Sequence, residues 1–307
     1  MQRVAIVTDS SSCLTPQLAA SRGVEIVPYD LVFEGQVYRD GIDSPSDFYR
    51  LLRESPRLPT TAAPSPGLFL EAYQRASRRA ESVLCITLPT NLSSSHNSSQ
   101  QAILLARDEL PNVTVVSVPA PAVASGQGLL ALDAAELAAR GGSLSDVADL
   151  VAALSPQIHF YAVLDSLEYL AKGGHVPKAV AWIGDRIRFK PILTAREGNV
   201  ERLSQVRSKK KAMDRMMAMM EENNPADSPI RALVMHADAP GEAQRFAGRI
   251  KERFTCDQLL MTQFTPVMGA HSGPGVVGVA FRAMGSVTSR PKIEASPGAS
   301  SRPRSVP

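Results

Sequence analysis

Apolar and polar residues alternate in blocks along the chain, and the blocks repeat as strand, loop, helix. Val4-Ala5-Ile6-Val7-Thr8 is an apolar run long enough for a buried strand, and it ends in the polar Asp9-Ser10-Ser11-Ser12. Thr15-Pro16 then supplies an N-cap and a first-turn proline for a helix through Ala20. Val24 to Pro28 reads as a second strand, followed by Leu31-Val32-Phe33 and a turn at Glu34-Gly35, and Ser46 to Leu52 as a short helix. The segment from Pro59 to Pro66 is too proline-rich for a helix or a central strand. Ser65-Pro66 opens an amphipathic helix with Phe69, Ala72, Tyr73, Ala76 and Ala80 on one face. Val83 to Thr87 and Val113 to Val118 are further strands, with a hydroxyl-rich turn (Asn91 to Ser99) and a helix from about Ser99 to Arg107 between them. Ser125 starts a long helix to Arg140, and Ser143 to Leu154 a second one with Asp146 placed for a capping box.

After Ser155-Pro156 the rhythm changes. Ile158 to Leu164 is a strand, Ser166 to Lys172 a helix stopped by Gly173-Gly174, and Val176 to Ile187 another helix. Glu197-Gly198-Asn199 reads as a hairpin turn between Ile192–Thr194 and Val200–Val206. A helix from Arg207 to Glu222 carries Met213, Met216, Met217, Met219 and Met220, a composition that usually marks adaptable core packing. Ile230 to His236 and Leu259 to Phe264 are strands around a helix from Pro240 to Arg253 opened by Asp238. Parallel strand–helix units followed by a half with a hairpin predict an α/β protein with a Rossmann-like parallel sheet first and a mixed sheet second. With 307 residues two domains are expected, 1–155 and 156–282, followed by a Pro-, Ser- and Ala-rich tail over 283–307 that reads as disordered.

Gly269-Ala270-His271-Ser272-Gly273-Pro274-Gly275 precedes the strand of Val276, Val277 and Val279. A rigid Gly-Pro-Gly turn holds His271 and Ser272 at the sheet's edge, which makes either a binding or reaction site or a tight turn with a surface histidine.

Composition narrows the function. The net charge of +3 comes from the tail, where Arg290, Lys292, Arg302 and Arg304 face only Glu294, so the rest of the chain is neutral and has no nucleic-acid footprint. No run approaches the length of a membrane span, no signal peptide precedes the first strand, and Cys13, Cys85 and Cys256 form no disulfide framework. A cytoplasmic protein is expected. His96, His159, His175, His236 and His271 lack metal spacing, no lysine sits in a phosphate loop, and Gly126-Gln127-Gly128 matches a dinucleotide fingerprint only loosely and in the wrong place; no cofactor is expected. No GxSxG elbow exists either, the serine of Gly269–Gly273 falling one place late. Asp9 to Ser12, Thr60, Thr61, Ser93 to Ser95, Arg207 and His271 together could hold a carboxylate or phosphate.

Five segments, Val7-Thr8-Asp9-Ser10, Leu167 to Gly174, Lys190-Pro191-Ile192-Leu193, Arg207-Ser208-Lys209-Lys210 and His271 to Gly275, resemble in order those of the DegV family. These are bacterial fatty-acid-binding proteins that serve as the FakB subunit of fatty acid kinase. The resemblance implies a DegV-type two-domain α/β fold that buries a long-chain fatty acid in a tunnel. It further implies a non-catalytic subunit that presents the carboxylate to a separate kinase subunit, giving acyl phosphate for phospholipid synthesis. Carried over by motif, Thr61, Ser93 and His271 would bind the carboxylate. Arg207 and His271 would face the transferred phosphoryl group and the partner, with Asp9, Ser10, Ser94, Ser272 and Gly273 in supporting loops. Fatty acid and kinase are the implied partners, with room for transient membrane contact. The chain departs from the family pattern at Ala62-Ala63, at Ser94 to Asn97, at Pro119-Ala120 and at His175. The alternatives are a stand-alone acyl-transfer or hydrolytic enzyme using His271, and a binder of another small organic anion.

Overall fold

The computed structural model describes residues 2–41, 45–174, 176, 178–182, 189–224 and 228–285. Among these residues, thirteen strands fall into three sheets. The first is parallel, in the order β2 (Val24–Val27), β1 (Gln2–Asp9), β6 (Ala80–Thr87), β7 (Thr114–Pro119). The second has six strands, β10 (Asn199–Val206), β9 (Lys190–Arg196), β8 (His159–Val163), β13 (Val277–Ala283), β11 (Ile230–His236) and β12 (Cys256–Gln263). It is mixed as expected, since only β11 and β12 run parallel. The third is a small antiparallel sheet, β4 (Gln36–Arg39), β3 (Asp30–Phe33), β5 (Thr60–Ala62).

Period-2 alternation assigns each face of the two large sheets. Val4 and Ile6 of β1 point to one side and Ala5 and Val7 to the other, where Phe69, Ala72 and Tyr73 of α3 (Pro66–Ser77) and Ala102 of α4 (Ser95–Glu109) cover them. Leu233 and Met235 of β11 face inward, while Ala232 and Val234 meet the methionines of α9 (Lys209–Glu222) and Phe246 of α10 (Pro240–Arg253). All five methionines of α9 are buried, so they are core packing. Between the sheets lies α5 (Ser125–Ala139), which packs on β1, β2 and β6 on one side and on β8, β11 and β13 on the other. Twelve of its fifteen residues are buried, which explains why the segment shows no amphipathic stripe. α6 (Leu144–Leu154) runs beside it, opened by the Ser143/Asp146 capping box that the spacing predicts.

Several boundaries differ from the sequence reading. α4 begins at Ser95 rather than near Ser99, Ala80 starts β6 instead of closing α3, and Ala239 rather than Asp238 occupies the N-cap of α10. Ala283 belongs to β13, so the tail does not begin there; Met284 N still donates to Pro229 O at 2.7 Å. Residues 286–307 of the expected tail, and much of the helix expected from Val176 to Ile187, lie outside the described residues; Ala179–Trp182 (α8) is helical. The principal correction concerns Gly269 to Ser272. These residues form the end of a helix, α11 (Pro266–Ser272), because Pro266 sets its first turn and the Gly273 cap has a positive φ of 75°. His271 and Ser272 therefore stand on a helical last turn and not in a loop.

Candidate functional site

The carboxyl ends of β1 and β6 open toward α11, and the small sheet closes one side of the gap. The result is a cavity of about 230 Å³. Thr61, Ser93, Ser94 and His271, all anticipated, share its wall with Tyr29 and Ser11. The rest is apolar, including Leu88, Leu92, Val123, Leu170, Val200 and Met268.

Each polar side chain is held by the backbone around it. Thr61 sits on edge strand β5, paired with Leu31, and its Oγ1 lies 3.1 Å from His271 Nε2. Ser93 Oγ is 2.7 Å from the Tyr29 hydroxyl and accepts from Ser95 N at 3.1 Å, so its position is fixed at the start of α4. Burial and the neighbouring Asp9 push the Tyr29 phenol up, which keeps it a neutral donor. Ser94 takes the N-cap position of α4 without capping through its side chain and lines the cavity.

Asp9 and Ser10 act from behind the wall. The Asp9 carboxylate is fully buried and accepts from Ser11 N (3.2 Å), the Ser11 hydroxyl, Gln127 Nε2 (3.1 Å), Leu88 N (3.3 Å) and Ser95 Oγ (2.6 Å). It thereby ties the ends of β1 and β6 to α4 and to the buried helix α5. Burial raises its pKa, and those donors act in the opposite direction. Ser10 Oγ accepts from Tyr29 N at 3.0 Å and donates to Asp40 Oδ2 at 2.8 Å. Asp40 Oδ1 in turn accepts from Val267 N at 3.2 Å. Thr265, the N-cap of α11, makes no side-chain cap, so Asp40 satisfies this first turn from a distant loop.

The glycines of the motifs serve close approach. A Cβ on Gly173, at the end of α7 (Glu168–Lys172), would come within 2.7 Å of His271 Nδ1, and one on Gly273 within 2.3 Å of the Tyr169 ring. Ser272 Oγ donates to Met268 O at 2.9 Å within α11. Arg207 stands apart from these: it is exposed between β10 and α9 and does not line the cavity.

Tyr29, Asp40 and Gln127 belong to this arrangement and were not anticipated. Gln127 sits inside the glycine pattern dismissed as a dinucleotide fingerprint; its amide donates to Thr8 Oγ1 at 3.0 Å as well as to Asp9. Two of the three carried a faint signal, since a tyrosine after Pro28 and an aspartate before Gly41 are polar points beside apolar runs. Among the described residues no His, Cys, Asp and Glu group could hold a metal ion, and no helix is long and apolar enough to cross a membrane.

Residues 3–283 match the family model described as "Uncharacterised protein, DegV family". A DegV domain-containing protein of Deinococcus radiodurans is 33% identical over 280 residues, 91% of this chain and 98% of that protein. Among solved structures, a Thermus thermophilus DegV family protein described by its fatty acid binding superposes with a TM-score of 0.84 at 28% identity, covering 92% of this chain and 100% of that one. DegV of Bacillus subtilis, described as a fatty acid binding protein, gives 0.82 at 26% identity, with the same coverage.

Proposed function

Since this chain belongs to the DegV family, we propose that it binds a fatty acid in the cavity beside His271 and presents its carboxylate to a separate kinase subunit for conversion to acyl phosphate. One observation carries the binding half of this reading. The cavity is apolar over most of its wall and gathers Thr61, Ser93, Tyr29 and His271 in one place. A carboxylate taken from water needs donors to replace its hydration, and an acyl tail needs a dry wall. Both are supplied by one space.

Among the described lining residues only His271 can carry a positive charge. The carboxylate is thus held mainly by neutral hydroxyls, which leaves its oxygen more nucleophilic toward an incoming phosphoryl group than an arginine pair would. Arg207, exposed at the β10–α9 junction, is assigned to the partner's side of the transfer. The hydrolytic alternative is less well supported: Ser93 is engaged by Tyr29, and Ser272 by its own helix.

Native mass spectrometry of the purified protein, with organic extraction of whatever it holds, tests the binding half. A stoichiometric fatty acid supports the reading, and a protein that neither carries nor takes up any fatty acid refutes it. For the second half, Arg207→Ala is expected to bind fatty acid normally yet to be phosphorylated more slowly by a fatty acid kinase subunit. Normal phosphorylation of that variant would remove Arg207 from its assigned role.

A further inference from the structure

Lys190, Lys209, Pro274 and Gly275 belong to the motif segments, yet none of them lines the cavity beside His271. They line a second cavity instead, of about 590 Å³, which shares no lining residue with the first. His271 stands in the wall of one and Gly275, four positions on, in the wall of the other.

The turn between these two residues does not hold its own shape. Gly273 and Gly275 have φ of 75° and 86°, a region where glycine is at ease, and glycine also leaves it at little cost. Pro274 fixes one torsion between them. Neighbours supply the rest. The Tyr169 ring packs where a side chain on Gly273 would be, and the Asp165 carboxylate does the same at Gly275, leaving no space for a Cβ at either. Gly275 N donates to Ala237 O at 2.6 Å.

Lys209 completes this clamp. Its Nζ donates to Gly275 O, pairs with Glu242 on the first turn of α10 and lies 3.7 Å from Asp165 Oδ1, which Lys190 Nζ holds in turn at 2.8 Å. Only 13% of the Lys209 side chain is exposed. Helix α9 itself gains nothing from a lysine here. The residue follows directly on the Ser208 cap, where a positive charge opposes the helix dipole. Its contacts beyond the helix are what it serves.

We infer that Lys209 is a positioning residue for His271: by holding Gly275 O it fixes the turn that closes α11, and with it the placement of the His271 ring against Thr61 Oγ1. The inference rests on the fatty-acid reading above and adds to that site a residue outside the cavity wall. The start of α11 is held separately, by Asp40 at Val267 N and by the Tyr49 hydroxyl, which donates to Phe264 O at 3.1 Å. Loss of the lysine therefore loosens the His271 end alone.

The test compares Lys209→Met with Glu242→Gln in the full chain. Lys209→Met is expected to fold, since water in the second cavity can take the place of the ammonium at Gly275 O and Asp165 keeps Lys190. The ¹H–¹⁵N signals of the His271 ring are expected to shift while those of His96 and His159 stay in place. Affinity for hexadecanoate is expected to fall by about two- to twelvefold, the loss of one well-placed hydrogen bond. Glu242→Gln removes an ion pair of Lys209 but leaves its bond to Gly275 O, so ring signals and affinity are expected to stay near those of the wild type. An unmoved His271 ring in folded Lys209→Met overturns the inference, and so does an equal shift in Glu242→Gln, which would trace the effect to charge alone. Lys209→Gln, whose head is polar but falls short of the carbonyl, is read in the same way should the methionine variant fail to fold. A wild type that takes up no fatty acid sinks the fatty-acid reading, whereas the ring signals still decide whether Lys209 positions His271.

Discussion

Thr61 Oγ1 and His271 Nε2 lie 3.1 Å apart, though 210 positions separate the two residues in sequence. One stands on the edge of a small sheet near the start of the chain, the other on the last turn of a helix before the final strand. The cavity exists because the fold brings these two ends together.

Thr61→Val keeps the shape of the side chain and removes its hydroxyl. A net hydrogen bond is worth roughly 0.5–1.5 kcal/mol, so fatty-acid affinity is expected to fall by about two- to twelvefold with little change in the melting temperature. Titration calorimetry together with a thermal melt separates the two effects. An unchanged affinity would exclude the hydroxyl from carboxylate binding.

Gly173→Ala places a methyl group against the His271 ring without touching the cavity's other polar groups. The imidazole has to turn away, and Thr61 loses its neighbour. Binding is expected to weaken more than in Thr61→Val, while the backbone at Gly173, with φ −69°, accommodates alanine and gains up to about 1 kcal/mol. The ¹H–¹⁵N signals of the His271 ring should shift while those of His236 stay in place.

Asp40 gives a dependence on pH. Burial, reinforced by the charge of Asp9, raises its carboxyl from 3.8 to about 7, although Ser10, Val267 N and Thr265 donate to it. Between those two values the folded protein keeps a proton that the unfolded chain has released. Stability contributed by this group therefore falls as the pH rises through that window, by at most about 4 kcal/mol. His96, His159 and His236, whose pKa values burial lowers, work in the opposite sense. The comparison that isolates Asp40 is the wild type against Asp40→Asn in melts at pH 5 and pH 8. The variant is expected to gain on the wild type as the pH rises, and parallel curves would contradict the assignment.

Beyond the middle of α5, Asp133 pairs with two arginines from the six-stranded sheet. Arg282 reaches it through Nε at 2.7 Å and Nη2 at 3.1 Å, and Arg231 contacts it as well as Glu136 and Asp257. Asp133→Ala leaves Arg282 buried without its carboxylate and is expected to cost about 3–5 kcal/mol. Arg231, which keeps Glu136 and Asp257, limits the damage on its side. Urea unfolding reads the loss as a lower midpoint at unchanged slope.

Periodicity was enough for the two large sheets, since runs such as Val4 to Thr8 and Ile230 to His236 are buried on both faces and leave little ambiguity. It was not enough for the third sheet. Val32 and Val37 are half or more exposed there, and three-residue β5 is too short to show a period. The site was legible where a hydroxyl or imidazole stood in a motif, as for Thr61, Ser93 and His271. Tyr29 was missed because its role depends on where the ring points after folding, which no local pattern fixes. For Arg207 the limit is the same in reverse: the motif locates the residue in the chain, while Ser208, capping α9 through Lys211 N, decides where the helix starts and leaves the arginine outside it.

Helix α5 bears on how a ligand gets in. Leu129, Leu130 and Leu132 are buried on a helix that packs against both large sheets, and a fully buried leucine is worth about 1.5–3 kcal/mol. Prising the sheets apart to admit a fatty acid would wet all three and break the Gln127 ties as well. On the proposed reading, traffic through the cavity is therefore expected over its rim, where β5, α7 and the β9–β10 tip each present little more than a few residues to be displaced. If the proposed fatty-acid reading holds, exchange is expected to be set by those small pieces rather than by the global stability of the protein.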